Sequence, residues 1–113
     1  MAQYILLLAG GDFKRDTQEE MRAITERYMA WRKKITDAGK VTGGAPLADE
    51  GKILSGSGAA FRVVDGPFAE TKEVIGGYYF FEAPNLEAAA EFARDCPHLD
   101  YGGTIELREV IQM

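Results

Sequence analysis

Two segments of this chain are apolar at every position, and they limit its possible folds more than any other feature. Residues 4–8 read Tyr-Ile-Leu-Leu-Leu, and residues 78–81 read Tyr-Tyr-Phe-Phe. Both have the composition of β-strands, in which alternate side chains point to opposite faces of a sheet. Both faces of these strands therefore need apolar cover, and a sheet with helices on one face only would leave the other uncovered.

Length and charge narrow the class of protein. The 113 residues predict a single domain over residues 1–113, and 13 basic against 18 acidic residues give a formal charge of −5. This balance argues against a nucleic-acid partner, because such binding depends on clustered Lys and Arg. No apolar run reaches the roughly 20 residues of a membrane helix. A single cysteine, Cys96, and a start unlike a signal peptide lead us to expect a cytoplasmic protein with no membrane partner.

The order of predicted elements is β-α, a β-meander and α-β. A strand over residues 3–9 precedes a helix that Thr17 and Glu20 cap and that Gly39 ends. We predict strands within 41–61, over 59–64, over 74–82 and over 104–111, and a second helix from Asn85 to Asp95. The first helix has an apolar stripe formed by Met21, Ile24, Tyr28, Trp31, Ile35 and Ala38. This order predicts an α+β fold, a ferredoxin-like antiparallel sheet with two helices on one face.

The uncovered face of that sheet predicts a second subunit. Two helices cannot cover both faces, so two sheets packed together in a dimeric α+β barrel would bury the remaining apolar surface. The alternative is that the loop over residues 40–58 folds across the open side. In the last strand, Glu106 and Arg108 point to this side, where they would pair with Arg62 or Glu82 of a neighbouring subunit.

Charged side chains that could carry chemistry are most concentrated in the segment Asp65-Gly66-Pro67-Phe68-Ala69-Glu70-Thr71-Lys72-Glu73. Neighbouring carboxylates such as those of Asp65, Glu70 and Glu73 can differ in proton affinity and so act as acid and base. Lys72 would orient an anionic ligand. The alternative is structural, because Asp-Gly-Pro is a turn sequence and alternating Glu and Lys are common at a solvated strand edge.

Other candidates lie outside this segment. Tyr28 and Trp31 pack in the core first, but their polar tips need partners and make them candidate walls of a pocket; Tyr4, Arg62 and Tyr78 complete the predicted ligand-binding set. His98 is the only histidine and a catalytic candidate if folding brings it to Asp65, although a lone histidine in a loop is more often exposed. One His and one Cys do not form a typical zinc site, so we predict no metal and no cofactor.

The segment from Asp65 to Glu73, followed by Gly76-Gly77-Tyr78-Tyr79, Cys96-Pro97 and the last strand, resembles DGPF-type members of the YCII-related domain family. The resemblance implies a ferredoxin-like unit that assembles as a dimeric α+β barrel, similar to small barrel enzymes such as muconolactone isomerase. It implies no established reaction, although a catalytic His-Asp pair has been suggested for the wider family. Some DGPF-type proteins look linked to extracytoplasmic-function sigma factors, which implies a regulatory role instead.

Three hypotheses follow. The leading one is a homodimer that binds an unidentified small molecule in a cleft lined by Asp65, Glu70, Lys72 and Glu73, with acid–base catalysis by Asp65. The second is a non-enzymatic module that serves a sigma factor. The third is that the segment from Asp65 to Glu73 only stabilises the dimer.

Overall fold

The computed structural model describes residues 2–11, 17–38, 40–48, 50–66 and 74–112. Its elements are β1 (Ala2–Gly10), α1 (Gln18–Asp37), β2 (Val41–Pro46), β3 (Lys52–Ser55), β4 (Arg62–Asp65), β5 (Ile75–Ala83), α2 (Leu86–Ala93), α3 (Pro97–Asp100) and β6 (Gly103–Glu109). Strands β2, β5, β1 and β6 form an antiparallel sheet in that order, and β3 pairs with β4 in a separate hairpin. Apart from the hairpin, this is the β-α-β-β-α-β arrangement of a ferredoxin-like unit, as predicted.

The two longer helices begin where the sequence predicts. Thr17 Oγ1 accepts a hydrogen bond from the backbone N–H of Glu20 at 3.0 Å, and Asn85 Oδ1 accepts one from Ala88 at 2.8 Å. These caps satisfy amide groups that lack a partner inside the helix. The predicted end at Gly39 lies outside the described residues.

Pro97 both follows the end of α2 and begins the next helix, α3. Pro97 follows the end of the second helix, as predicted, but it also occupies the first turn of α3. Proline is tolerated there because the first amide of a helix needs no partner within the helix. The prediction of a loop at His98 is therefore wrong, since His98 lies in this one-turn helix.

One face of the sheet forms the core against the helices. The buried apolar side chains are Tyr4, Leu6, Leu8, Trp31, Ile35, Phe81, Ala83, Ala89, Ala93 and Cys96. The stripe predicted for α1 is only partly correct, because Met21 is 50% exposed and Ala38 is also exposed. The buried contacts of this helix centre on Trp31 and Ile35, and its two ends lie beyond them.

The other face of the sheet is apolar and only partly buried by the described residues. Strand pairing sets Ile5 beside Phe80 and Leu7 beside Tyr78, and the Tyr78 and Phe80 rings meet edge to face with centroids 5.6 Å apart. We call the surface formed by Ile5, Leu7, Tyr78 and Phe80 the open face. The segment 40–58 was the alternative candidate to cover this face. It instead contains the strands β2 and β3.

The charged residues of the last strand lie on the predicted side. Glu106 is opposite Leu7, and Arg108 is opposite Ile5, so both belong to the open face. Their side chains approach each other, with Arg108 Nη1 3.7 Å from Glu106 Oε2.

Strands β3 and β4 form a hairpin in which every residue from Lys52 to Asp65 is exposed. We call residues 52–65 the arm. The predicted strand over 59–64 is correct only from Arg62 onward, because Ala59 and Ala60 belong to a 3₁₀ turn that reverses the chain. Gly56 and Gly58, with φ of 75° and 58°, permit this reversal.

Candidate functional site

Three glycine pairs that are distant in sequence meet at one end of the sheet. The pairs are Gly10-Gly11, Gly76-Gly77 and Gly102-Gly103. Gly10 is opposite Gly103 in the strand register, and Leu8 is opposite Gly77. We call the region around Gly10, Gly77 and Gly103 the glycine end of the sheet. The lack of side chains lets other groups approach the backbone closely there.

The segment from Asp65 to Glu73, which carries the predicted site, is followed by a strand that begins at the glycine end of the sheet. Asp65 is the last residue of β4, and Val74 is the first described residue after the polar segment. The Val74 carbonyl accepts a hydrogen bond from the Gly10 amide at 3.2 Å. Pro67, Phe68, Glu70, Lys72 and Glu73 lie outside the described residues, so their predicted roles stay predictions.

Asp65 is exposed and forms an ion pair. Lys52 Nζ donates to its Oδ1 at 2.5 Å, and the Asp65 side chain is 82% exposed. A pair this exposed contributes about 0–1 kcal/mol to stability. Its carboxylate can therefore meet a ligand, and the fold does not depend on it.

His98 is buried, which corrects the expectation of an exposed loop residue. Its side chain lies beneath the glycine end with 3% of the residue exposed. Nε2 lies 2.7 Å from the Ala9 carbonyl oxygen, and Nδ1 lies 3.2 Å from the Tyr28 hydroxyl. Because a carbonyl only accepts, Nε2 carries the proton, and in the neutral ring Nδ1 accepts from the Tyr28 hydroxyl. The fold thus joins two predicted site residues, Tyr28 of α1 and His98 of α3.

Gly103 makes room for this imidazole. A Cβ atom at position 103 would lie 2.6 Å from His98 Cε1 and closer still to Nε2 and Cδ2. A residue with a side chain at this position would force the ring away from the Ala9 carbonyl. The histidine and the second glycine of its pair therefore form one packing unit.

A polar cluster beside His98 was not predicted from the sequence. Arg27 of α1 forms an ion pair with Asp100 of α3, and its guanidinium lies 5.3 Å from the centre of the Tyr101 ring. Hydrogen bonds to Tyr101 and Asp100 raise the pKa of Arg27. The only local signal was the pair Asp100-Tyr101, which begins two residues after His98, because Arg27 is 73 residues from Asp100 in sequence.

The other predicted ligand-binding residues occupy three separate places. Tyr4 and Trp31 are in the core at 2% and 5% exposure, Tyr78 is on the open face, and Arg62 is on the arm, where its Nε donates to Ser55 Oγ at 3.2 Å. The Trp31 indole Nε1 is buried and has no hydrogen-bond partner among the described residues. The predicted set is therefore divided between core, open face and arm within one chain.

A shallow groove lies at the opposite end of the sheet. It has a volume of about 470 Å³ and is lined by Ala2, Gln3, Glu82, Glu109, Val110, Ile111 and Gln112. Neither Asp65 nor His98, the two predicted catalytic residues that the structure describes, borders it. Within the described ranges, no group of three or more His, Cys, Asp or Glu side chains is placed to hold a metal ion. No helix in these ranges is long and apolar enough to cross a membrane.

Cys96 is a small buried residue, as predicted. It is 1% exposed, and burial raises the pKa of its thiol to about 11. The thiolate is the reactive form of cysteine, so Cys96 is inert near neutral pH while the chain is folded.

The raised pKa of Cys96 predicts a loss of stability in alkali. The ordinary pKa is 9.0, so between this value and about 11 the folded chain keeps a proton that the unfolded chain releases. The free energy of unfolding should be unaffected below this range and fall within it, by at most about 3 kcal/mol. Urea denaturation of the wild type and of Cys96→Ala across this range tests the effect. Equal slopes with pH for the two proteins would contradict it.

The fold and the site together define a ferredoxin-like α+β domain with an exposed hairpin and a buried His-Tyr pair at one end of its sheet. Residues 5–113 match the YCII-related domain, and the chain belongs to the YCII-related domain family. It is also 34% identical over 95 residues to an uncharacterized protein of Rhizobium meliloti (strain 1021). That alignment covers 81% of this chain and 77% of the relative.

Proposed function

We propose that this protein is a DGPF-type member of its family and a homodimer that binds a small molecule at the glycine end of the sheet. Asp65 is the acid–base group of that site, and Glu70, Lys72 and Glu73 complete it. The observation that carries the proposal is the open face, an apolar surface at the centre of the sheet that the helices do not cover.

The open face favours a second subunit for a simple energetic reason. Burying apolar surface contributes about 25 cal/mol per Å², and the four large side chains of this face occupy its two central strands. Polar residues border them on β6, where Glu106 and Arg108 lie in register with Leu7 and Ile5. An apolar centre with a polar border is typical of protein interfaces. Two such faces packed together form the α+β barrel.

The glycine end supports the location of the ligand site. The segment after Asp65 leaves from the arm and rejoins the sheet where Gly10 binds the Val74 carbonyl. The exposed Asp65 carboxylate is a candidate to accept or donate a proton, and Lys72 would attract an anionic ligand. His98 does not take this role, because Ala9 and Tyr28 already engage both of its nitrogens. In this proposal, carboxylates take the place of the His-Asp pair that has been suggested for the wider family.

A ligand screen by thermal shift tests the proposal. We expect a small metabolite to raise the melting temperature of the wild type, because a ligand that binds only the folded state stabilises it. The same compound should not stabilise Asp65→Asn, although this variant should retain the fold because its ion pair contributes little. Sedimentation should give twice the chain mass of 12.4 kDa for both proteins.

Lys52→Gln is the matched control. It removes the same ion pair but keeps the Asp65 carboxylate, so it should bind the ligand as the wild type does. A ligand that stabilises Asp65→Asn equally would remove Asp65 from the site. A monomeric wild type would contradict the dimer, and recovery with a sigma factor but no metabolite would favour the regulatory role.

A further inference from the structure

The arm is the least explained part of the fold. It pairs internally, with Ile53 opposite Val64 and Leu54 opposite Val63. Among the described elements, neither strand of the arm packs extensively against any other helix or strand. The arm therefore projects away from the body of the domain.

Both faces of the arm are apolar at their centre. Directly opposed residues share a face, so Ile53 and Val64 lie on one side and Leu54 and Val63 on the other. Their exposed fractions range from 48% to 61%. An isolated two-stranded hairpin is at best marginally stable in water, so an arm of this composition needs apolar cover to keep its structure.

The charges of the arm favour one of these faces for contact with the sheet. The face with Ile53 and Val64 also carries Ser55 and Arg62, whereas the face with Leu54 and Val63 carries the neutralised pair Lys52–Asp65. The first face therefore has an apolar centre and one positive charge near the tip.

The open face has the complementary charge. Its charged residues among the described strands are Glu82, Glu106 and Arg108, which sum to −1 beside the apolar side chains. Each chain thus carries an arm face that is apolar with one positive charge and an open face that is apolar with a net negative charge. A second copy supplies the matching partner for each of them, which is the self-complementary arrangement of a two-fold dimer.

We propose that the arm of each subunit packs across the dimer onto the edge of the partner's open face, with Arg62 directed at its acidic residues. This inference rests on the proposed homodimer and adds the arm to its interface. Because β4 ends at Asp65, seating the arm on the partner also holds this carboxylate in place. The ligand site is then complete only in the dimer.

Ile53→Glu and Arg62→Glu test the arm. Ile53→Glu introduces a charge into the apolar centre of the contacting face, and Arg62→Glu reverses the sign of the contact with the open face. We expect each to raise the dimer dissociation constant about tenfold or more in sedimentation equilibrium. Circular dichroism checks that both variants remain folded. Met21→Glu is the matched control, because Met21 is as exposed as Ile53, at 50% each, but lies on α1. It should dimerise as the wild type does.

The possible failures differ from one another. A monomeric wild type would overturn the proposed homodimer and the arm contact together. A wild-type dimer with unchanged dissociation constants in both arm variants would overturn the arm contact alone. A melting temperature that Ile53→Glu lowers equally at all protein concentrations would show that the arm packs on its own chain, and would also overturn the inference.

Discussion

Leu6→Ala is expected to lower the free energy of unfolding by about 2–5 kcal/mol, the usual cost of a cavity in a closed core. Leu6 is 1% exposed and lies between Tyr79 of β5 and Leu107 of β6 on the helix-covered face. The loss should not depend on protein concentration, because all of these contacts lie within one chain. Urea denaturation at several protein concentrations measures it.

Leu7→Ala is the matched control. It deletes the same atoms from the next residue of the same strand, but on the open face. In a dimer, its cost should appear mainly as weaker association, and so depend on protein concentration. If Leu7→Ala instead destabilises as much as Leu6→Ala at every concentration, the chain itself covers the open face and the proposed dimer interface is wrong.

Gly103→Ala is expected to destabilise the fold by about 1–3 kcal/mol through overpacking, and to displace His98. The added methyl group overlaps the imidazole ring, so the ring must leave the Ala9 carbonyl or the strand must move. Each hydrogen bond lost adds about 1 kcal/mol. Chemical denaturation gives the total, and the NMR signals of the only histidine report the displacement directly.

Two variants separate this steric effect from a general cost of alanine in a strand. Gly76→Ala should change stability by less than about 0.5 kcal/mol, because no atom of the described residues lies within 4 Å of its added Cβ and its φ is ordinary. In the background His98→Ala, the overlap at position 103 disappears, so Gly103→Ala should then cost little. A Gly103→Ala penalty that persists without the imidazole would contradict the packing unit described above.

The helix starts and most strands could be predicted from the sequence because their causes are local. Thr17 and Asn85 cap amides only three residues away, and alternation along β6 sets its two faces without reference to other strands. The wrong predictions of secondary structure were made where a local sequence signal is compatible with two different structures. Proline after Cys96 could end one helix or begin another, and the small residues Ala59 and Ala60 suit a strand or a turn.

The candidate site could be predicted only in part. Asp65 lies at the end of an exposed strand, in agreement with a turn or a ligand contact. The burial of His98 could not be inferred, because its partners Tyr28 and Ala9 are 70 and 89 residues away. The ion pair of Arg27 with Asp100 could not be predicted for the same reason.

The two uninterrupted apolar segments therefore determined, without any structure, that the central strands of this protein need cover on both faces. They pair as β1 and β5, with alternate residues in the core and on the open face. Only the tertiary structure decided that the glycine pairs converge, that His98 lies beneath them and that the arm stands apart from the core. The reason is physical. Periodicity and caps act between residues a few positions apart, whereas the order of strands in the sheet decides which distant residues meet.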